Sequence, residues 1–137
     1  MTRAFPTPQD AEDAFYDAID DRDAAAMRAV WDSSDDIACL FPMQPLLQGQ
    51  AVQEAWMPLM RGEVTIDIQV NHIRWVSLGD VAIHYVEERV SVPGQAPNPP
   101  VYATNVYRQR PEGWRLILHQ NSPSPPTPGT VPPIATT

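Results

Sequence analysis

At 137 residues, 43% apolar and 19% charged, the chain has the length and composition of one globular domain, which excludes two independent cores and overall disorder. Seventeen acidic residues against nine basic ones, all of them arginine, give a net charge of −8. Such a chain repels phosphate backbones and anionic lipid, so neither nucleic acid nor a membrane is an expected partner.

The first helix is announced by Thr7-Pro8-Gln9-Asp10, a capping hydroxyl, a proline at the first helical position and a carboxylate three residues after the cap. Ala11, Ala14, Phe15, Ala18 and Ile19 follow with amphipathic spacing. Asp20-Asp21-Arg22 breaks the pattern, and Asp23 caps a shorter helix whose inward face is Met27, Val30 and Trp31. The two should form a helical hairpin. Residues 37–41 read as a short strand stopped by Pro42 and Pro45. A third helix follows Gly49, with Val52, Ala55, Trp56, Leu59 and Met60 on one face; Pro58 should kink or end it.

From Val64 the period changes to two, as Val64, Ile66, Ile68 and Val70 alternate with polar residues, and the strand continues towards Val76. Ser77-Leu78-Gly79-Asp80 is a turn into a strand at 81–92, and residues 93–100 form a proline-rich connection. Strands at 101–110 and 114–122 flank Pro111-Glu112-Gly113. Six of the sixteen prolines follow Ser122, where no sheet can continue. The expected organisation is an extension at 1–6, a domain at 7–123 and a proline-rich tail at 124–137.

Helices first and an antiparallel meander last predict an α+β fold. The strands are apolar at both parities: Ile83 and Tyr85 stand against Val86 and Val90, and Ile117 against Leu116 and Leu118. One face takes the helices and the other needs cover, so a homodimer through the sheet face is expected. Cys39 is the sole cysteine, which excludes an internal disulfide and a cysteine-based zinc cluster; among apolar neighbours it reads as a small buried hydrophobe. No basic segment leads into an apolar one at the N-terminus, and no run approaches the ~18 apolar residues of a membrane span. A cytoplasmic location is the expectation.

The order of elements, together with residues 24–31, 42–56, Gly79-Asp80-Val81-Ala82, Ala103-Thr104-Asn105-Val106-Tyr107-Arg108 and the tryptophan strand at 113–123, resembles the SnoaL-like branch of the nuclear-transport-factor-2-like superfamily. That resemblance implies N-terminal helices on a curved, mostly antiparallel sheet, wrapped as a conical barrel around an internal pocket, and usually a dimer. The scaffold hosts isomerases, cyclases, dehydratases and non-catalytic assembly domains, so the fold alone names no activity.

Pro111-Glu112-Gly113 suits a three-residue loop, which pairs Arg110 with Trp114, Tyr107 with Ile117, Asn105 with His119 and Ala103 with Asn121. Asn105, Tyr107, His119 and Asn121 then share a face. The similar kinase association domain carries arginines at the positions matching Asn105, Asn121 and Glu87; two amides and a carboxylate stand here, so an anion pocket of that type is not carried over. The expected pocket is walled by Trp31, Trp56 and Tyr107, with Tyr85 and Tyr16 as further ligand contacts and Glu87, Asn105, His119 and Asn121 as polar groups. Its ligand would be a small hydrophobic or carbonyl-containing molecule. A desolvated Glu87 would have a raised pKa and could act as an acid or base with His119. The blander readings are a solvated Glu87 beside Glu88 and Arg89, asparagines that stabilise strand ends, and tryptophans that are plain core.

Steroid-isomerase chemistry is disfavoured residue by residue. The position of the isomerases' general base holds Phe41, and their oxyanion tyrosine aligns with Phe15, leaving Tyr16 about 100° away around the helix. A dehydratase or cyclase could still use His119 or His84 with Glu87 and a tyrosine, and an assembly domain like the kinase hub is the non-catalytic alternative. A two-residue loop at Leu78-Gly79 pairs His72 with Tyr85 and Ile73 with His84, putting the two histidines on opposite faces unless a bulge intervenes. No metal and no cofactor is expected. Residues 1–36 hold ten of the seventeen acidic residues, so the acidity belongs to the outer face of the helical hairpin.

Overall fold

Thr7 opens helix α1 (Pro8–Asp21) with the expected capping box: its hydroxyl accepts from the Asp10 backbone, and the Asp10 carboxylate accepts from the Thr7 N–H at 3.1 Å. Arg22 ends the helix in the left-handed region at φ 51°, returning its N–H to the carbonyls of Ala18 and Ile19. Asp23 caps α2 (Ala24–Val30), and Trp31 follows as its buried terminal residue. The computed structural model describes residues 4–62, 66–96 and 99–122. The proline-rich tail and Val64 lie outside the described residues.

β1 (Ala38–Leu40) is followed by β2 (Leu47–Gln48), a two-residue strand for which the sequence carries no period. Helix α3 (Gln50–Met60) buries Val52, Trp56 and Met60 and stops two residues after Pro58, whose missing N–H deprives the Glu54 carbonyl of its helical bond. Four long strands complete the sheet: β3 (Asp67–Ser77), β4 (Val81–Ser91), β5 (Val101–Arg110) and β6 (Gly113–Asn121). The order is β2-β1-β6-β5-β4-β3, antiparallel throughout except where β1 runs parallel to β6. This is an α+β fold of three helices on a six-stranded mixed sheet. The core lies between the helices and one sheet face, built on Phe15, Met27, Val30, Trp56, Val86 and Leu116.

Two bulges decide which side chains reach that face. In the β3–β4 hairpin Ser77 pairs with Ala82 and Trp75 with His84, but His72 pairs with Val86, leaving Ile73 as the extra residue. His72 and His84 therefore share the inner face, contrary to the bulge-free expectation. In the β5–β6 hairpin the loop is tighter than expected: Arg110 pairs with Gly113 and Tyr107 with Leu116, in place of Trp114 and Ile117. A bulge at Ile117 absorbs the difference, so the expected pairs Asn105 with His119 and Ala103 with Asn121 are present.

The N-terminal segment and the helix ends are tied to this sheet. Phe5 is buried, and its carbonyl accepts from Trp114 at 2.8 Å. After α2, Arg110 on β5 donates to both oxygens of Asp32, at 2.9 and 2.6 Å, and holds that carboxyl down to about 2. Asp32 and Glu12 are both buried, so two of the ten acids in residues 1–36 belong to the interior rather than to a solvated face.

Gly113 combines φ +121° with close contact to the N-terminal segment; a Cβ there would sit 2.8 Å from the Phe5 nitrogen. Gly113→Ala should lower the unfolding free energy by about 2 kcal/mol or more in urea titration. Gly94→Ala, at φ +80° with no heavy atom within 4 Å, should cost only about 1 kcal/mol of backbone strain. Equal losses would mean that the Phe5 strap contributes nothing.

Candidate functional site

Helix α1 presents Glu12 and Tyr16 one turn apart, and both reach across to the sheet. Glu12 is 1% exposed yet saturated with donors. His72 Nε2 lies 2.6 Å from one carboxylate oxygen; His84 Nδ1 at 2.8 Å, the Tyr107 hydroxyl at 2.9 Å and Asn105 Nδ2 at 3.4 Å share the other. Burial pushes its pKa up, but the hydrogen bonds and charge of His84, with those of His72 and Tyr107, outweigh that and hold it below the ordinary value. Trp75 stacks on His84 at 4.6 Å between centroids and closes this end of the cluster.

The second cluster is centred on Glu88 of β4. The Tyr16 hydroxyl donates to Glu88 Oε2 at 2.7 Å, and Asn121 Nδ2 donates to Oε1 at 2.8 Å. His119 Nε2 stands 3.9 Å from Glu88 Oε2, while its Nδ1 lies 2.6 Å from Asn105 Oδ1. Asn105 Nδ2 also donates to the Tyr16 hydroxyl at 2.9 Å, so Asn105 joins the two clusters. Burial lowers the pKa of His119 against the opposing pull of Glu88, and burial with the Glu88 charge raises that of Tyr16 well above 10. Around neutral pH His119 is thus a neutral imidazole, and Tyr16 remains a donor.

Glu88, His119 and Asn121 face a cavity of about 380 Å³ whose other walls are apolar, among them Ile19, Phe41, Trp56, Met60, Ile68 and Val101. Arg22 also lines it, its guanidinium bonded to the carbonyl of Gly62. Cys39 is buried and its thiol is pushed up to about 12, far from a nucleophile's range.

The structure brings His119, Asn121 and Trp56 of the sequence-predicted residues to the cavity and leaves the others elsewhere. Glu87 is on the opposite sheet face, 3.4 Å from Asn71 Nδ2. The β4–β5 pairing of His84 with Asn105 puts residues 84, 86 and 88 inward, so Glu88 occupies the place expected for Glu87. Tyr85 shares that outer face and is 40% exposed. Trp31 is core, edge-on to Phe15 at 6.4 Å. Tyr107 and Asn105 are fully buried behind the cavity, and Tyr16 supports Glu88 instead of lining the space. His72 and His84 are spent on Glu12, and among the described residues no group of three such side chains is arranged to hold a metal ion.

Sequence reasoning missed Glu12 and Glu88. For Glu12 a signal existed, since 12, 15, 16 and 19 fall on one helical stripe with Phe15 and Ile19. For Glu88 none did: the long connection between β4 and β5 leaves their register, and so the inward parity, unspecified.

Comparison with known proteins agrees with this architecture. A family model described as a SnoaL-like domain matches residues 9–127. A crystal structure from Thiobacillus denitrificans, named as a calcium/calmodulin-dependent protein kinase type II association domain, is similar at a TM-score of 0.83 and 38% identity, covering 88% of this chain and 98% of the other. A protein from Streptomyces avermitilis, named as a dehydratase of the NTF2-like family, gives a TM-score of 0.75 and 27% identity over 82% and 90% of the two chains. The F-box protein SKIP8 of Arabidopsis thaliana is 28% identical over 109 residues, 79% of this chain; the chain spans only about half the length of that curated relative, 46%.

The depressed pKa of His119 has a stability consequence. The unfolded chain takes up a proton near pH 6.5 and the folded one resists it, so stability is full above that pH and falls as the pH drops below it. His119→Gln should remove this component: the difference between wild-type and variant melting temperatures should shrink steadily below pH 6.5. A difference independent of pH would show that His119 titrates alike in both states.

Proposed function

Because the chain belongs to the SnoaL-like family of the NTF2-like superfamily, we propose that it binds a small, largely apolar molecule with a hydroxyl group at the buried end of the cavity, and that His119 acts there as acid and base with Glu88 as its counter-charge. The observation that carries the reading is the Glu88–His119 pair, two acceptor atoms 3.9 Å apart at the polar end of an apolar space. A carboxylate oxygen and an unprotonated ring nitrogen repel a carbonyl oxygen but share an incoming O–H. This shifts the expected ligand from a carbonyl to a hydroxyl donor. Arg22 suits an acceptor group at the ligand's outer end. Wrapping of the sheet into a cone around this space belongs to the same reading.

The pair also suits dehydration, the activity in the name of the Streptomyces relative. In a β-hydroxy carbonyl compound, His119 Nε2 would take the proton next to the carbonyl. The imidazolium so formed is balanced by Glu88, and it returns the proton to the departing hydroxyl, so the net change is loss of water. Asn121 and Tyr16 keep Glu88 oriented for that step.

A second reading, an assembly domain, draws on the Thiobacillus relative and on the outer sheet face. Val76, Ile83, Val106 and Leu118 lie in register across four strands, with Tyr102 at 49% exposure nearby. A second copy covering that row gives a homodimer. Light scattering at micromolar concentration should report a dimer, and Ile83→Glu should return it to monomer; a wild-type monomer removes the sheet-face pairing.

Ligand binding is tested by thermal shift and calorimetry with aryl and medium-chain alcohols beside their matching ketones. Alcohols should stabilise wild type and Glu87→Gln alike and bind Glu88→Gln at least about tenfold more weakly, a loss of about 1.4 kcal/mol. Stabilisation by no compound, or sensitivity at Glu87 instead of Glu88, rejects the site.

A further inference from the structure

Four hydrogen bonds between the two clusters have a direction that chemistry fixes. A carboxylate can only accept. Tyr16 lies 2.7 Å from Glu88 Oε2, so its single proton goes there, and the bond between Tyr16 and Asn105 must be donated by Asn105 Nδ2. The same Nδ2 faces Glu12 Oε2 at 3.4 Å. The amide therefore turns its oxygen to His119, and the 2.6 Å contact to His119 Nδ1 requires a proton on that nitrogen. A neutral His119 then keeps Nε2 unprotonated, with Glu88, Asn121 and the cavity around the ring.

From this we infer that Glu12, which does not line the cavity, is a positioning residue that, together with Tyr16, fixes the tautomer of His119 by fixing the orientation of Asn105. The inference rests on the site reading above for what the tautomer serves, though not for its existence. A reversed Asn105 would set its oxygen against the Glu12 carboxylate and leave both Tyr16 and His119 mispaired. In water a neutral imidazole has no such constraint; here the partner of one nitrogen dictates the state of the other. Glu12 is itself held by three donors from three strands, His72 of β3, His84 of β4 and Tyr107 of β5. An acceptor-only group, locked from three sides, thus sets what the cavity offers a ligand roughly two residues away: a hydrogen-bond acceptor.

The test is nitrogen-15 NMR of histidine-labelled full-length protein without ligand, at a pH where His119 is neutral. Wild type should show His119 protonated on Nδ1. Glu12→Gln introduces a donor that can satisfy a reversed Asn105, so the Nδ1–H signal should be lost or halved in favour of Nε2–H. Glu12→Asp, still acceptor-only, should retain it. Tyr107→Phe removes a bond to Glu12 without altering its polarity; it should lower the melting temperature yet leave the tautomer as in wild type, which separates positioning from mere packing. A proton on Nε2 in wild type or in Glu12→Asp overturns the inference, as does an unchanged tautomer in folded Glu12→Gln. Should Glu12→Gln not fold, the wild-type and Glu12→Asp spectra alone decide. Glu88→Gln should keep the Nδ1–H form while losing alcohol binding, so failure of the ligand reading leaves a different signature from failure of this one.

Discussion

A carboxylate that has no water must be given donors, and the interior of this domain is arranged around that requirement. Glu12 projects from α1 into the sheet, where His72, His84, Tyr107 and Asn105 converge on its two oxygens. Leaving such a group unpaired would cost several kcal/mol, so the arrangement is all or nothing. It fixes the helix against three strands at once, and through Asn105 it reaches the second carboxylate, Glu88. The apolar residues of α1 supply the area that is buried. The two acidic side chains and their partners supply the geometry, because hydrogen bonds have directions and hydrophobic contacts do not.

That geometry is possible only because both hairpins are irregular. In a ladder without the first bulge Ile73 would pair with Val86, His72 would face outward and Glu12 would lose a partner. In a ladder without the second, Val106 would pair with Ile117, and His119 and Asn121 would move to the other face. Each bulge costs ladder bonds locally and is retained where a polar side chain has to be re-aimed. The cavity inherits the outcome. Its walls come largely from apolar residues, whereas its polar end is one glutamate, one histidine and one asparagine whose faces depend on strand register.

The acidity of the chain takes on a divided meaning. Most acids of the helical hairpin remain where solvent reaches them, but Glu12 and Asp32 carry interior ties, one to the sheet and one to Arg110. Glu88 adds a third buried carboxylate at the cavity. The candidate site thus uses the same kind of group that elsewhere in the chain faces solvent, and burial with donors is what separates the two settings.

The sequence by itself determined the elements. Capping at Thr7 and Asp23, the helical spacing from Ala11 to Ile19, the stop imposed by Pro58 and the period of two in the later strands are local properties, governed by backbone sterics and side-chain periodicity within a few residues. The family signature was legible in local stretches of sequence, whereas the expected pairing of Asn105 with His119 is present because the bulge at Ile117 offsets a turn tighter than the sequence suggests. What only the tertiary structure decided is which carboxylate faces inward. Glu87 and Glu88 are neighbours with the same chemistry, and the choice between them is set by the pairing of β4 with β5 across a long connection and by what Tyr16 and Asn121 can reach. A period of two makes a one-residue difference in register absolute: it exchanges the inside of the sheet for the outside, and with it the candidate site.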